Sequence, residues 1–361
     1  MLLSFLFSPA GVYAATVGEL MCTATEPIGN CLYVYGGGWN EEDTAAGTEA
    51  MSYGISPRWV EFYNENDASY NYNTTRYQIH DGLDCTGYIG WCMYQMFGNT
   101  YSNTGYVFPS KLMAEEYKNL FGARLTYAGN VEDFKCGDIM SKPGHAYIVL
   151  GSCSDGSVVF VHASPPDVSL CGTYTPGGKK NSEAVALAEE YMKKYFSDCY
   201  GRYPRCSRNT AYLTDYHQIR LTDDVLSDTD GYRSMEAREI LYDMFEAAKL
   251  YVNGKRAGAE EGIFIIENST YVPLRTVCEN LGAGVTWQGE EQKAVISRGG
   301  TEITVCVGSH TAEVNGVPHS LPGDVFISGD KAYIPVRFIA GQLGAEVRWE
   351  SKWKRISVLS N

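Results

Sequence analysis

The chain has 361 residues, 44% of them hydrophobic and 20% charged, enough apolar mass for two or three domains with real cores. A net charge of −14 excludes the clustered Lys and Arg that phosphate binding needs, and with it a nucleic-acid partner. No stretch approaches the roughly 18 apolar residues that would cross a bilayer, so no transmembrane segment is expected. The acidity belongs to the first 248 residues, whereas 249–361 is near neutral, a first sign of two domains.

Met1 to Pro9 is apolar, and Val12-Tyr13-Ala14 or Tyr13-Ala14-Ala15 supplies small residues near a cleavage point. Residues 1–15 therefore read as the tail of a secretory signal, without its basic n-region, and the protein is expected to be exported, secreted or held at a cell wall. Eleven cysteines, an odd count, suggest one thiol kept free, with Cys85 the candidate. The other ten could form bridges whose connectivity the sequence does not give. No Cys-x-x-Cys and no paired histidines occur, so no metal site is expected.

Residues 16–230 are expected to form one domain. Tyr33-Val34-Tyr35-Gly36-Gly37 opens it, and a long insertion, Gly38 to Leu83, follows. His80 lies five residues before Cys85 but in an Asp81-Gly82 turn, which suits a surface or cleft-wall role. Leu83-Asp84-Cys85-Thr86-Gly87-Tyr88 places a thiol in the first turn of a helix. Asp84 is a good N-cap, Ile89, Cys92, Met93, Met96 and Phe97 share one apolar side, and Gly98-Asn99 ends the run. A helix N-terminus and a nearby imidazolium lower a thiol's pKa from about 8.5 to roughly 3.5–7.5, and the free N–H groups can serve as an oxyanion hole.

Gly137-Asp138-Ile139-Met140 begins a strand-like run. Gly144-His145-Ala146-Tyr147-Ile148-Val149-Leu150-Gly151 and Val158-Val159-Phe160-Val161-His162-Ala163-Ser164 read as an antiparallel hairpin. A Ser152–Asp155 loop pairs residues whose numbers sum to 307 and sets His145 opposite His162. An Asp155-Gly156 loop gives a sum of 311 and still leaves both rings on one face. Either register allows a Cys85–His145–His162 constellation, with His145 as general base and His162 orienting it. Next come an amphipathic helix near Ser182–Phe196 and the pair Cys199 and Cys206, while His217 reads as structural. A linker at 231–248 contains a helix from Ser234 to Glu246.

The last segment, 249–361, is a duplication. Tyr271-Val-Pro-Leu-Arg-Thr-Val-Cys-Glu-Asn-Leu-Gly-Ala-Gly-Val-Thr-Trp287 recurs as Tyr333-Ile-Pro-Val-Arg-Phe-Ile-Ala-Gly-Gln-Leu-Gly-Ala-Glu-Val-Arg-Trp349, offset by 62, as are Val252-Asn253-Gly254 and Val314-Asn315-Gly316. Asn-Gly predicts a tight hairpin turn, Pro273 and Pro335 the first helical position, and Gly282 and Gly344 a left-handed stop. The Val-Pro-x-Arg helix and Gly-Ala-x-Val-x-Trp strand resemble the stalk-like domain at the N-terminus of copper amine oxidases. That resemblance implies a β-rich accessory module, for spacing or wall attachment, and no copper site.

Tyr33-Val34-Tyr35-Gly36-Gly37, Asp84-Cys85-Thr86-Gly87, Gly137-Asp138, Gly144-His145 and Phe160-Val161-His162-Ala163 resemble the ordered motifs of the NlpC-type cell-wall cysteine peptidases. The resemblance spans about residues 20–225 and implies an α+β, papain-like fold. It implies hydrolysis of a peptidoglycan stem-peptide amide, the γ-D-glutamyl–diamino-acid bond, through an acyl-enzyme and with no cofactor. Tyr33, Asp84 and Thr86 are the implied substrate contacts, although Tyr33 reads equally as a packed strand aromatic. The sequence departs from the pattern at Thr86, in the insertion, at Phe108-Pro109-Ser110 (where an arginine is usual and Lys111 a weak substitute), and in the tail from Gly178 to Leu221. Two rivals remain open: another wall amidase or acyltransferase with the same Cys–His site, and a non-catalytic wall-binding scaffold.

Overall fold

The computed structural model describes residues 15–257 and 262–360. The secretory-signal reading of residues 1–14 falls outside them. Cα packing divides the chain into two units, with the boundary between Leu241 and Tyr242. Both mix helices and sheets, so the expected α+β class holds at that level. No helix of the described residues is long and apolar enough to cross a membrane.

In the first unit the helices are α1 (Val17–Thr25), α2 (Pro57–Glu65), α3 (Cys85–Phe97) and α4 (Met113–Phe121). Strands β1 (Arg124–Thr126), β2 (Ile139–Lys142), β3 (His145–Ser152), β4 (Val158–Ser164) and β5 (Asp167–Thr173) follow. Helices α5 (Glu183–Tyr195) and α6 (Ser197–Arg202), strand β6 (Ser207–Arg208), the short helix α7 (Ala211–Thr214) and strand β7 (His217–Arg220) complete it. The strands form one seven-stranded sheet, ordered β1-β7-β2-β3-β4-β5-β6, antiparallel except at the β5–β6 edge.

Helix α3 departs from its predicted one-sided pattern. Tyr88, Trp91 and Tyr94 are as buried as Ile89 and Cys92, because the helix packs on β3 and β4 on one side and is covered by α1 and the insertion on others. A helix apolar all round belongs inside a core. The insertion contributes Trp59 of α2, fully buried edge-on to Trp91 with centroids 5.9 Å apart. It is tied down further by Arg202, which donates to the carbonyls of Tyr63 and Asn66, and by the Tyr70 hydroxyl, which donates to the Tyr33 carbonyl.

The β3–β4 hairpin follows neither predicted register. Ser152 pairs with Val158, which leaves a five-residue loop, and continuing that register would place His145 and His162 on opposite faces. A bulge between Val149 and Gly151 shifts the pairing by one, so that Val149 faces Phe160 and Ile148 faces Val161. The extra residue restores the parity, and both rings emerge on the same face.

The second unit begins within α8 (Ala237–Phe245). Its first copy holds β8 (Lys249–Val252), β9 (Lys255–Arg256), β10 (Phe264–Ile266), β11 (Ser269–Pro273), α9 (Leu274–Asn280), β12 (Gly284–Gln288) and β13 (Lys293–Arg298). Strand β14 (Thr301–Cys306) leads to the second copy: β15 (Thr311–Val314), β16 (Val317–Ser320), β17 (Phe326–Ser328), β18 (Lys331–Pro335), α10 (Val336–Gln342), β19 (Ala345–Glu350) and β20 (Arg355–Ser360).

Strands β11 and β18 pair antiparallel with Tyr271 opposite Pro335 and Pro273 opposite Tyr333, so equivalent positions exchange partners as across a two-fold axis. Strand β8 of the first copy runs parallel to β20 of the second, so that copy's opening hairpin joins the other copy's sheet. One core serves both copies, with Val277, Cys278 and Leu281 meeting Ile339, Ala340 and Leu343. Asn253-Gly254 and Asn315-Gly316 take positive φ at both positions, as a tight primed hairpin turn demands. Pro273 and Pro335 sit one residue earlier than predicted. Each remains extended and strand-paired, and the helix begins at the next residue.

Candidate active site

Cys85 stands where the sequence puts it, as the first residue of α3, with Asp84 as N-cap. The Asp84 carboxylate accepts from the backbone N–H of Thr86 (2.8 Å) and Gly87 (2.7 Å) and from the Thr86 hydroxyl (2.9 Å). The Thr86 hydroxyl in turn accepts from the Trp39 indole at 3.0 Å. Both side chains are thus engaged inside the protein, where they hold the start of the helix that carries Cys85, and the Asp84 carboxylate takes up the Thr86 N–H, leaving the Cys85 N–H for the expected oxyanion hole.

The thiol is 8% exposed and faces the N–H of Ala146, the residue after His145. Burial pushes its pKa up to about 12, the Asp84 charge adds to the rise, and the Ala146 and Thr86 N–H groups oppose it. This direction runs against the low-pKa thiolate expected from the helix terminus. Burial, with the capping carboxylate one residue away, outweighs the helix end. Half-buried Tyr33 lies beside the thiol, whose proximity, after burial, holds its phenol well above the ordinary range; its ring meets Tyr72 of the insertion edge-on at 5.6 Å. Tyr216 also lies near the thiol.

The structure brings the two histidines together. His145 Nε2 lies 2.8 Å from His162 Nδ1, and the rings meet edge-on. His162 is fully buried among Phe160, Tyr212 and Cys171. Burial lowers the His145 pKa to about 3, helped by the charges of Arg208 and Lys142. His162 is pushed down by burial first, then by Arg208 and His145. Arg208 Nη2 points at His162 Nε2 from 3.1 Å.

Sequence reasoning missed Arg208, Cys171, Tyr212, Tyr216 and Trp39. Arg208 arrives on a two-residue edge strand after a helical excursion, and nothing near it in sequence marks it. Other expectations fell into place. His80 is turned to the carboxylate of Glu49 at 3.0 Å, and His217 accepts the Ala128 N–H at 3.0 Å. Ser110 accepts the Gly144 N–H at 2.8 Å, so the Phe108-Pro109-Ser110 segment flanks the turn leading to His145.

Among the described residues no disulfide joins any two of the cysteines. Cys199 donates to Asp167 at 3.0 Å, and Cys278 is a core residue opposite Ala340 of the second copy. Among the described residues, Cys153, Asp155 and Glu183 are the group with metal-ligand spacing. Asp155 there accepts from Ser157 and from the Glu183 N–H, and Glu183 accepts from Ser154, bonds that build the β3–β4 loop and the start of α5.

Residues 251–358 match the family model of the copper amine oxidase N-terminal domain. The match covers the duplicated unit and supports its reading as a stalk-like domain. No curated protein matches the chain.

Proposed function

We propose that the first unit is a thiol peptidase of the NlpC type on a papain-like fold, exported and acting on peptidoglycan stem peptides. The observation that carries this reading is the 2.8 Å pair of His145 and His162, with the Cys85 thiol against the N–H of Ala146, the residue after His145. A sulfur nucleophile, an imidazole base and a second ring orienting the first make up an acyl-transfer site.

In this mechanism the Cys85 proton passes to His145 as sulfur attacks the amide carbon, and the Cys85 N–H supports the oxyanion. His145 then protonates the leaving amine. The acyl-enzyme is cleared by water, which His145 deprotonates, and the thiol is restored. In this reading Tyr33, with the Tyr72 ring edge-on to it, walls the substrate side. The γ-D-glutamyl–diamino-acid bond is the proposed target. The duplicated unit is an accessory module that holds or spaces the enzyme at the wall, in keeping with its family match.

Cys85→Ala should abolish release of peptide fragments from purified sacculi while leaving the thermal unfolding transition in place. Undiminished release by that variant would refute the assignment. Mass spectrometry of the products separates the endopeptidase from an amidase or acyltransferase, since each leaves a different new terminus. A wall-binding scaffold is the second reading, favoured by the burial that keeps the thiol neutral. Selective modification of Cys85 by a substrate-like peptide electrophile decides against it.

A further inference from the structure

The hydrogen-bond chain behind His145 fixes where its protons sit. A guanidinium has five N–H donors, no acceptor and a permanent charge. Arg208 Nη1 donates to the Ser207 carbonyl at 2.9 Å, and Nη2 is directed at His162 Nε2 at 3.1 Å. His162 Nε2 must therefore present a lone pair. A neutral imidazole carries one proton, which places it on Nδ1, where it is donated across 2.8 Å to His145 Nε2. His145 Nε2 is thereby an acceptor, and the proton of the neutral ring resides on Nδ1, the nitrogen through which the proposed mechanism has His145 act on the thiol. In that state His145 cannot take a proton from Cys85.

The productive state is the reverse. His145 needs a free Nδ1, so its proton must sit on Nε2 and be donated to His162 Nδ1. His162 then carries its own proton on Nε2, aimed at the guanidinium. The other neighbour of that nitrogen is Cys171 Sγ at 3.5 Å, a weak acceptor whose own proton goes to the Arg205 carbonyl at 3.3 Å. An imidazolium at His145 imposes the same demand. The exchange balances: one proton crosses the His162–His145 bond, one leaves His145 Nδ1 to solvent, and one enters at His162 Nε2.

We propose that Arg208 is a latch that holds the imidazole pair in the tautomer unable to act as base, which keeps the peptidase at rest. Activation is the displacement of one guanidinium from one ring nitrogen. Tyr212 and the Asp167 carboxylate lie beside Arg208 and offer it other partners. The remaining charged or titratable groups near the pair are Lys142, next to His145, and Asp84, Tyr33 and Tyr216 around the thiol. The proposal rests on Cys85 and His145 being nucleophile and base, and makes Arg208 a positioning residue that acts through His162.

The test uses the full chain. Nitrogen-15 spectra of labelled histidine in the unmodified protein should show unprotonated nitrogens at Nε2 of both His145 and His162. An unprotonated Nδ1 on His162 overturns the latch, whatever the variants do. Arg208→Gln puts a carboxamide oxygen where His162 Nε2–H can donate, whereas Arg208→Lys keeps a donor there. Alkylation of Cys85 by iodoacetamide at neutral pH, followed by peptide mass mapping, should accelerate at least about tenfold in Arg208→Gln, one unit of thiol pKa, and stay at the unmodified rate in Arg208→Lys. Equal rates in all three proteins overturn the latch even if stem peptides are cleaved normally. The expected alkylation pattern without cleavage of any stem peptide upholds the latch and sinks the substrate assignment.

Discussion

Gly87→Ala tests whether the backbone contact behind the nucleophile sets its position. Gly87 lies in the first turn of α3 against the Gly36–Gly38 loop. A Cβ there would stand 2.0 Å from the Gly37 carbonyl oxygen and 3.0 Å from Gly38 Cα. Both neighbours are main chain, so no side chain can swing aside. Helix or loop must retreat by about 1 Å, and the Gly37 carbonyl that would move is the acceptor for the Asp84 N–H at 2.9 Å. Overpacking of this kind costs about 1–3 kcal/mol, and the gain of Ala over Gly in a helix offsets about 1 kcal/mol. A net loss of about 0–2 kcal/mol leaves the protein folded at room temperature. A displacement of 1 Å between nucleophile and base costs on the order of a hundredfold in rate. The expected signature is therefore a small drop in the urea midpoint beside a collapse in fragment release from sacculi. A Gly87→Ala variant with unchanged midpoint and unchanged release would refute the reasoning.

Two further outcomes follow from buried charge. Asp138 is fully buried, and Arg220 grips both its oxygens at 2.7 Å. Asp138→Ala should destabilise the first unit by about 1–3 kcal/mol in urea unfolding, because the Lys135 N–H loses its buried acceptor while Arg220 keeps Asp133 at 3.1 Å, and an unchanged urea midpoint would refute it. Asp167 is buried beside the Cys199 thiol, and burial raises its pKa to about 7. Folding thus holds a proton that the unfolded chain releases near pH 4, so stability falls as pH rises from about 4 to about 7 and is level above, by roughly 4 kcal/mol in all. Asp167→Asn should flatten that part of the urea-midpoint profile. Parallel profiles for the two proteins would refute the shift.

What could be read in advance was what depends on short-range pattern. Asp84 as cap, Gly98 as stop, the helix from Ser182 to Phe196 and the Asn-Gly turns each follow from a few neighbouring residues. The histidine pair was legible only by luck of parity. The five-residue loop should have split the rings across the sheet, and the bulge between Val149 and Gly151, which no local signal announces, returned them to one face. The pairing of β8 with β20 was invisible for a related reason. A repeat reveals two similar units, but not that each completes its sheet with a strand of the other. The internal hydrogen bonds of Asp84 and Thr86 were not legible, because a motif shows which residues occur together, not which way their polar atoms turn. Arg208 was missed because it meets His162 across 46 residues of chain.

The energetics of the site bear on how such a nucleophile is made. Burial raises the Cys85 thiol and lowers the His145 imidazole, so both changes oppose a resting thiolate–imidazolium pair. Arg208 and Lys142 oppose it further by adding positive charge beside the ring that must become a cation. A site of this kind works only if charge appears together with the bond that disperses it, with proton transfer to His145 coupled to attack on the carbonyl. The low dielectric that penalises the separated ions then strengthens every dipole aimed at the transition state, the Cys85 and Ala146 N–H groups among them. It also protects an idle thiol from oxidation, since the reactive species is the thiolate. On this argument neutrality at rest and reactivity on demand have one cause, the burial of Cys85 under Tyr33 and Tyr216.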